Sequence, residues 1–217
     1  MRRTIAIGSP VMLENDRIAA DLRARFERQG TFCVNLMSSP GSGKTLLLER
    51  TLEAMGPARA AVLTGDLATD NDARRLARYG APVRQIVTGG VCHLDARRVS
   101  AALDELGEPP PILFLENVGN LVCPASWDLG EARRVVLFSV TEGEDKPLKY
   151  PSTFVKADLV LLTKIDLLPH VPFDAEAAAA NVARLNPEAH LIRLSAWTGE
   201  GLLRWVDWLN EKRGPRQ

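Results

Sequence analysis

The stretch TFCVNLMSSPGSGKTLLLERTLEAM, residues 31–55, decides the fold. Residues 31–37 are a short apolar run rich in strand formers, followed at once by a glycine-rich turn that opens a helix. The turn, SSPGSGKT (38–45), matches G-x-x-x-x-G-K-S/T with Ser38 standing at the first glycine position. Gly41 and Gly43 let the backbone N–H groups of the turn, Ser42 among them, point inward and cradle phosphates at the positive end of a helix. Lys44 is placed to neutralise the β/γ oxygens, and the Thr45 hydroxyl to ligate Mg²⁺. The plain alternative, a glycine turn that merely joins strand to helix, does not require Lys and Thr at these two positions.

Outward from this turn, apolar runs and helical segments alternate. Strands are expected at 60–66, 82–88, 111–117, 134–140, 158–164 and 190–195, with helices near 71–79, 93–106, 173–186 and 201–213. The apolar runs suit strands buried on both faces, and the alternation implies an α/β fold. The expected architecture is a P-loop NTPase: a doubly wound, mostly parallel sheet with helices on both faces. Before it, residues 11–29 place Val11, Ile18, Leu22 and Phe26 on one helical face. The domain reading is therefore an amphipathic segment, 1–30, packed on a nucleotide domain, 31–217. Over 217 residues, 27 basic and 27 acidic side chains balance, so nothing points to nucleic acid. No run approaches the ~20 apolar residues that span a bilayer, and the N-terminus does not read as a signal peptide. Three cysteines argue against a disulfide framework and for a cytoplasmic protein.

The base is read from LLTKIDLL (161–168), where T-K-x-D ends a buried strand with Thr163 in place of the usual Asn. Asp166 can accept from the ring N–H and the exocyclic amine of guanine, a pair that adenine does not offer. The stem of Lys164 can lie over the base, and a backbone N–H of Ser195-Ala196 in LSAWTGEG (194–201) can reach the guanine O6. A helix-cap Asp beside a surface Lys is the bland reading; the order phosphate loop, T-K-x-D, S-A favours GTP and GDP. Toward the γ-phosphate, Asp66 at the end of the second strand is a candidate Mg²⁺ ligand, with Asp70 behind it. Glu116 ends the strand ILFLE where a Walker-B carboxylate stands, and Gly119 fits a switch turn. Lys44, Asp66 and Glu116 are the candidate catalytic residues, with Thr45, Asp66 and Glu116 around Mg²⁺. The acidic run 66–72 also suits a helix N-terminus for dipole reasons alone.

In TGGVCHLDARRV (88–99), Cys92 and His93 stand side by side at the mouth of a helix, and Cys123 follows Glu116 by a few residues. In a parallel sheet both segments leave the same edge, so two thiols and an imidazole can converge near the γ end. Adjacent side chains in a helix diverge by about 100°, so Cys92 and His93 must either lie at the non-helical mouth to share one ion or serve a site between two chains. Two thiolates and an imidazole suit Zn²⁺ or Ni²⁺ rather than Mg²⁺. A packing thiol beside a capping imidazole is the alternative. Cys33, inside the first strand, reads as a buried small hydrophobe.

Together the stretches NLMSSPGSGKT, TGDLATDNDA, TGGVCHLDA, ENVGNLVCP, SVTEGEDKPLKYP, LLTKIDLLP and SAWTGEG resemble the HypB-type GTPases that help insert nickel during NiFe-hydrogenase maturation. The resemblance runs over nearly the whole chain. It implies slow GTP hydrolysis, nucleotide-dependent dimerisation, and Zn²⁺ or Ni²⁺ on Cys92, His93 and Cys123. It also implies a HypA-like nickel-binding partner and the hydrogenase large subunit. The first 30 residues hold neither a Cys-rich nickel motif nor a His-rich stretch, so tight N-terminal nickel binding is not expected. Urease-type nickel GTPases resemble the chain less, having a different Cys-His motif. The rival classes are a P-loop small-molecule kinase with structural cysteines, against which T-K-I-D argues, and a regulatory module that scarcely hydrolyses GTP.

Overall fold

Along the first strand Val34 and Leu36 face one side of a sheet and Cys33 and Met37 the other, all fully buried. This two-sided burial is what an all-apolar strand requires, and it places the strand at the centre. The structure, a computed structural model, describes residues 10–66 and 70–214. Residues 1–9 of the N-terminal segment, 67–69 of the acidic run and the closing 215–217 lie outside the described residues.

The strands are β1 (Phe32–Ser38), β2 (Ala60–Asp66), β3 (Val83–Val87), β4 (Ile112–Glu116), β5 (Arg133–Ser139), β6 (Leu159–Thr163) and β7 (His190–Arg193). They form one sheet in the order β3-β2-β4-β1-β5-β6-β7, with every pairing parallel. The helices are α1 (Pro10–Gln29), α2 (Lys44–Met55), α3 (Asn71–Ala77), α4 (Ala96–Leu106), α5 (Lys146–Lys149), α6 (Pro151–Phe154), α7 (Ala175–Leu185) and α8 (Leu202–Arg213). One face of the sheet buries α2, α3 and α8 through Leu47, Leu48, Leu52, Leu76 and Trp205. The opposite face buries α1 and α4 at one end and α6 and α7 at the other. The fold is the expected doubly wound α/β sheet.

The buried stripe of α1 differs from the expected one. Val11 is 65% exposed, and the stripe runs through Asn15, Ala19, Leu22 and Phe26, with Ile18 at its margin. An asparagine can occupy a core position here because both ends of its amide are used: Asn15 Oδ1 accepts from the Ala96 N–H and Nδ2 donates to the Asp128 carbonyl, each at 2.9 Å. The α4 helix begins at Ala96 rather than 93, because Asp95 caps it by accepting from the Arg98 N–H at 2.9 Å. Cys92 and His93 are thereby left outside the helix. Two short helices in GEDKPLKYPSTF, each with a proline in its first turn, were not expected from the sequence.

Candidate functional site

The phosphate turn sits where β1 feeds α2. Gly41 and Gly43 adopt φ of 74° and 98°, a left-handed backbone that favours glycine and turns the loop amides toward one point. Lys44, only 9% exposed, donates from Nζ to Ser38 Oγ at 2.8 Å. Ser38 therefore does more than replace a glycine: its hydroxyl holds the lysine over the loop. Burial lowers the Lys44 pKa below the ordinary lysine value, while Glu116, Asp72 and Glu142 pull it back up.

Thr45 Oγ1 donates to Glu116 Oε1 at 2.7 Å, so the hydroxyl and the carboxylate expected around Mg²⁺ meet. Glu116 is 3% exposed, and burial raises its carboxyl above the usual range against the opposing pull of Lys44 and the Thr45 hydrogen bond. A desolvated carboxylate of this kind gains from a cation. Asp66 ends β2, and its carbonyl accepts from the Thr88 N–H at 3.1 Å. Asp70 pairs with Arg74 at 2.8 Å, which spends the reserve carboxylate on its own helix. The Gly119 backbone lies against Pro40, and Asn120 forms an antiparallel bridge with Ser38, so the segment after β4 rests on the phosphate loop.

The base end is joined to the phosphate end by Thr163. Its hydroxyl donates to the Ser42 carbonyl at 2.7 Å and is buried, so it braces the phosphate loop. Lys164 has φ 60°, the one positive φ among the described non-glycine residues, and such strain gathers at functional sites. Asp166 Oδ1 is buried with no hydrogen-bond partner among the described residues, an acceptor left open. In the S-A loop the Ser195 N–H is taken by the Glu200 carbonyl at 2.9 Å. Arg50 Nε anchors the loop by donating to the Ala196 carbonyl at 3.2 Å.

Glu142 was not singled out in the sequence, yet it links this end to the rest. Its Oε1 accepts from Ser42 Oγ at 2.7 Å and from the Ser139 N–H at 2.9 Å, and Oε2 pairs with Lys146 at 3.0 Å. Burial opposes its ionisation, but these donors, Ser42 foremost, hold its carboxyl below the usual range. The signal available was its place in SVTEGEDKPLKYP, just beyond a buried strand.

The ligand atoms of Cys92, His93 and Cys123 all lie within 4.8 Å of one another, each residue half-buried. The neighbouring Cys92 thiol, with burial, holds the Cys123 thiol above its ordinary value. Burial lowers the His93 pKa against the pull of Asp95, which favours the neutral imidazole that metals take. The ring stacks on Trp127 with centroids 4.3 Å apart, and its Nδ1 is buried without a partner among the described residues. Cys33 is fully buried and far up in its thiol pKa, through desolvation first, as a packing residue should be.

A parallel sheet whose central strand runs into a phosphate loop, with T-K-x-D and S-A at the neighbouring strand ends, defines a P-loop nucleotide-binding protein. A family model described as CobW/HypB/UreG, nucleotide-binding domain, matches residues 32–193. The chain belongs to the HypB family of hydrogenase maturation factors. It is 54% identical to Hydrogenase maturation factor HypB of Azotobacter vinelandii over 216 residues, covering 99% of this chain and 71% of that one. It is 49% identical to the HypB of Escherichia coli K12 over 214 residues, covering 98% of this chain and 74% of the relative. Among solved structures, HypB from Helicobacter pylori in complex with nickel superimposes with a TM-score of 0.89 at 40% identity, covering 92% of this chain and 95% of that one. Among the described residues, no helix is long and apolar enough to cross a membrane.

Proposed function

We propose that the protein is a GTPase that binds Ni²⁺ at Cys92, His93 and Cys123 and releases it for insertion into the NiFe-hydrogenase large subunit, under control of the bound guanine nucleotide. The observation that carries this reading is the juxtaposition of three soft donors within 4.8 Å on the two loops that flank the phosphate end of the sheet. The nickel complex of the Helicobacter pylori relative supports nickel as the cargo. Zn²⁺ suits the same donors in tetrahedral geometry.

Guanine is favoured over adenine by the open, buried Oδ1 of Asp166. A carboxylate in that position is satisfied by two N–H donors of guanine and left unpaired by adenine. Thr45 and Glu116, already 2.7 Å apart, would hold Mg²⁺ together with Asp66, and the ion would supply charge neutralisation at the β/γ oxygens. Lys44 stabilises the same charge, so hydrolysis rests on positioning and electrostatics. Residues 31–217 serve as the nucleotide domain and 1–30 as an accessory segment. A nucleotide-dependent homodimer would pool four thiols from two copies, and a HypA-like protein is the expected nickel donor. Two free thiols this close suit a reducing compartment, the cytoplasm.

Single-turnover phosphate release tests the enzymatic part. Wild type should hydrolyse GTP, and Lys44→Ala should lose about 10²-fold or more of that rate, in line with removing one transition-state charge partner. Unchanged turnover in the variant, or ATP bound as tightly as GTP by wild type, would count against the reading.

A further inference from the structure

Leu94 is the residue at which the metal-bearing loop meets both strand ends that carry phosphate-side carboxylates. It is fully buried and directly follows His93. Its N–H donates at 3.1 Å to Oδ1 of Asn117, the residue after Glu116. Its side chain packs over Gly65, the residue before Asp66; a Cβ added at Gly65 would stand 2.6 Å from Leu94 Cδ2 and 2.9 Å from Cγ. One leucine thus rests on the ends of β2 and β4 together.

Asn117 is held rigidly for this contact. It is 1% exposed, its Oδ1 also accepts from the Val118 N–H at 3.0 Å, and its Nδ2 donates to Asn35 Oδ1 at 3.2 Å. Asn35 Nδ2 in turn donates to Glu131 Oε1 at 3.2 Å, and Glu131 is fixed by the Leu129 N–H at 2.8 Å and Arg134 Nε at 2.6 Å. Turning the Asn117 amide over would set its oxygen against that of Asn35 and its N–H₂ against the Leu94 N–H, so only one orientation is satisfied. Cys123 is attached elsewhere, through the bridge between Asn120 and Ser38 of the phosphate loop. The imidazole and the later thiol are therefore tied to different parts of the nucleotide site. Movement of one part against the other changes their spacing, and a metal site holds its ligand distances to within about 0.2 Å of preferred values.

We propose that Asn117 is the positioning residue that couples the phosphate end of the nucleotide site to the metal loop, acting through the Leu94 N–H on His93 and Cys92. The inference rests on the nucleotide-controlled nickel carrier proposed above and names the contact that conveys the control. A useful contrast is Asn15, which holds the same loop from α1 through the Ala96 N–H and the Asp128 carbonyl, with no bond to either strand end.

The test titrates Ni²⁺ into the full chain loaded with GDP or with a non-hydrolysable GTP analogue, read by thiolate-to-nickel charge-transfer absorption. Wild type should show two affinities whose ratio falls in the usual range of about 5–150-fold for coupled sites. Asn117→Ala should retain the charge-transfer band and bring the ratio to within about twofold of one. Asn15→Ala should shift both affinities together and keep the wild-type ratio, as a residue that only supports the loop must. Should Asn117→Ala fail to fold, Gly65→Ala probes the same contact: its methyl would overlap the buried Leu94 at Cδ2 and Cγ, displace that residue from Asn117 and lower the ratio with the Asn117 side chain unchanged. A wild-type ratio surviving in Asn117→Ala, or in Gly65→Ala where that variant is needed, overturns transmission from Asn117 through Leu94. Equal Ni²⁺ affinities in the two states of wild type would instead overturn the nucleotide-controlled reading, and this inference with it.

Discussion

The Thr163 hydroxyl donates to the Ser42 carbonyl at 2.7 Å, so the strand end that presents Lys164 and Asp166 is fastened to the phosphate loop. Thr163→Val keeps the shape and removes the donor, leaving a buried carbonyl short of a partner at a cost of about 1–3 kcal/mol. GTP and GDP should both bind about 10-fold more weakly, with the preference for guanine over adenine retained. Equilibrium binding of labelled nucleotides checks this; a variant that lost its base preference while keeping its phosphate affinity would reverse the roles assigned to Thr163 and Asp166.

Asp166→Asn should do the opposite. Two hydrogen bonds to a charged acceptor, each worth about 1.5–3 kcal/mol, are lost or inverted, so GTP affinity should fall on the order of 10²- to 10⁴-fold. Xanthosine triphosphate, whose additional carbonyl can accept from the new amide, should gain. Competition between the two nucleotides reads the exchange directly, and a GTP affinity left within a few-fold of wild type would remove Asp166 from the base site.

The edge strands β3 and β7 bury little and were legible by their place in the alternation with helices. The five inner strands were legible because each is an apolar run buried on both faces, a pattern that owes nothing to distant residues. The phosphate loop was legible for the same reason: its glycines, lysine and threonine act within one turn. What escaped was long-range and polar. Asn15 and Asn117 look like interruptions of apolar patterns until their partners, Ala96 and Leu94, are known to lie across the fold. Glu142 gains its role only because β5 brings it to Ser42, one hundred residues earlier in the chain. The Cys92-His93 pair was recognised as a candidate, but its non-helical backbone depends on Asp95 capping α4 at Ala96, a boundary that the periodic pattern placed at 93.

Glu116 links pH to stability. Its carboxyl is raised by burial, so the nucleotide-free fold favours the protonated form. The stability this confers is fully present below the unfolded-state value near 4.5 and is lost as pH rises through the raised folded-state value. At neutral pH, Glu116→Gln should therefore melt at a higher temperature than wild type without nucleotide, and the advantage should vanish in acid. The same change should weaken Mg²⁺-dependent nucleotide binding. A variant that melts lower than wild type at neutral pH would mean that the carboxylate is stabilised, not strained, by its surroundings.

Cys33 should separate packing from ligation. The thiol is fully buried, so Cys33→Ala should cost about 1 kcal/mol in denaturant unfolding, the usual scale for a small core deletion. Ni²⁺ stoichiometry and affinity should stay at wild-type values. A drop in bound Ni²⁺ in the folded variant would place Cys33 in a metal site that the geometry does not provide.

The joining of nucleotide and metal in one switch is tested most directly by a Ni²⁺ titration of wild-type protein in its GDP and GTP-analogue states, each repeated with Cys92→Ala/Cys123→Ala. Ligation by Cys92, His93 and Cys123, whose donor atoms lie within 4.8 Å, predicts one tight site whose affinity depends on the nucleotide and which the double variant loses. Reciprocity requires Ni²⁺ to change GTP-analogue affinity by the same factor. Identical Ni²⁺ affinities in both nucleotide states, or tight binding that survives loss of both thiols, would contradict it.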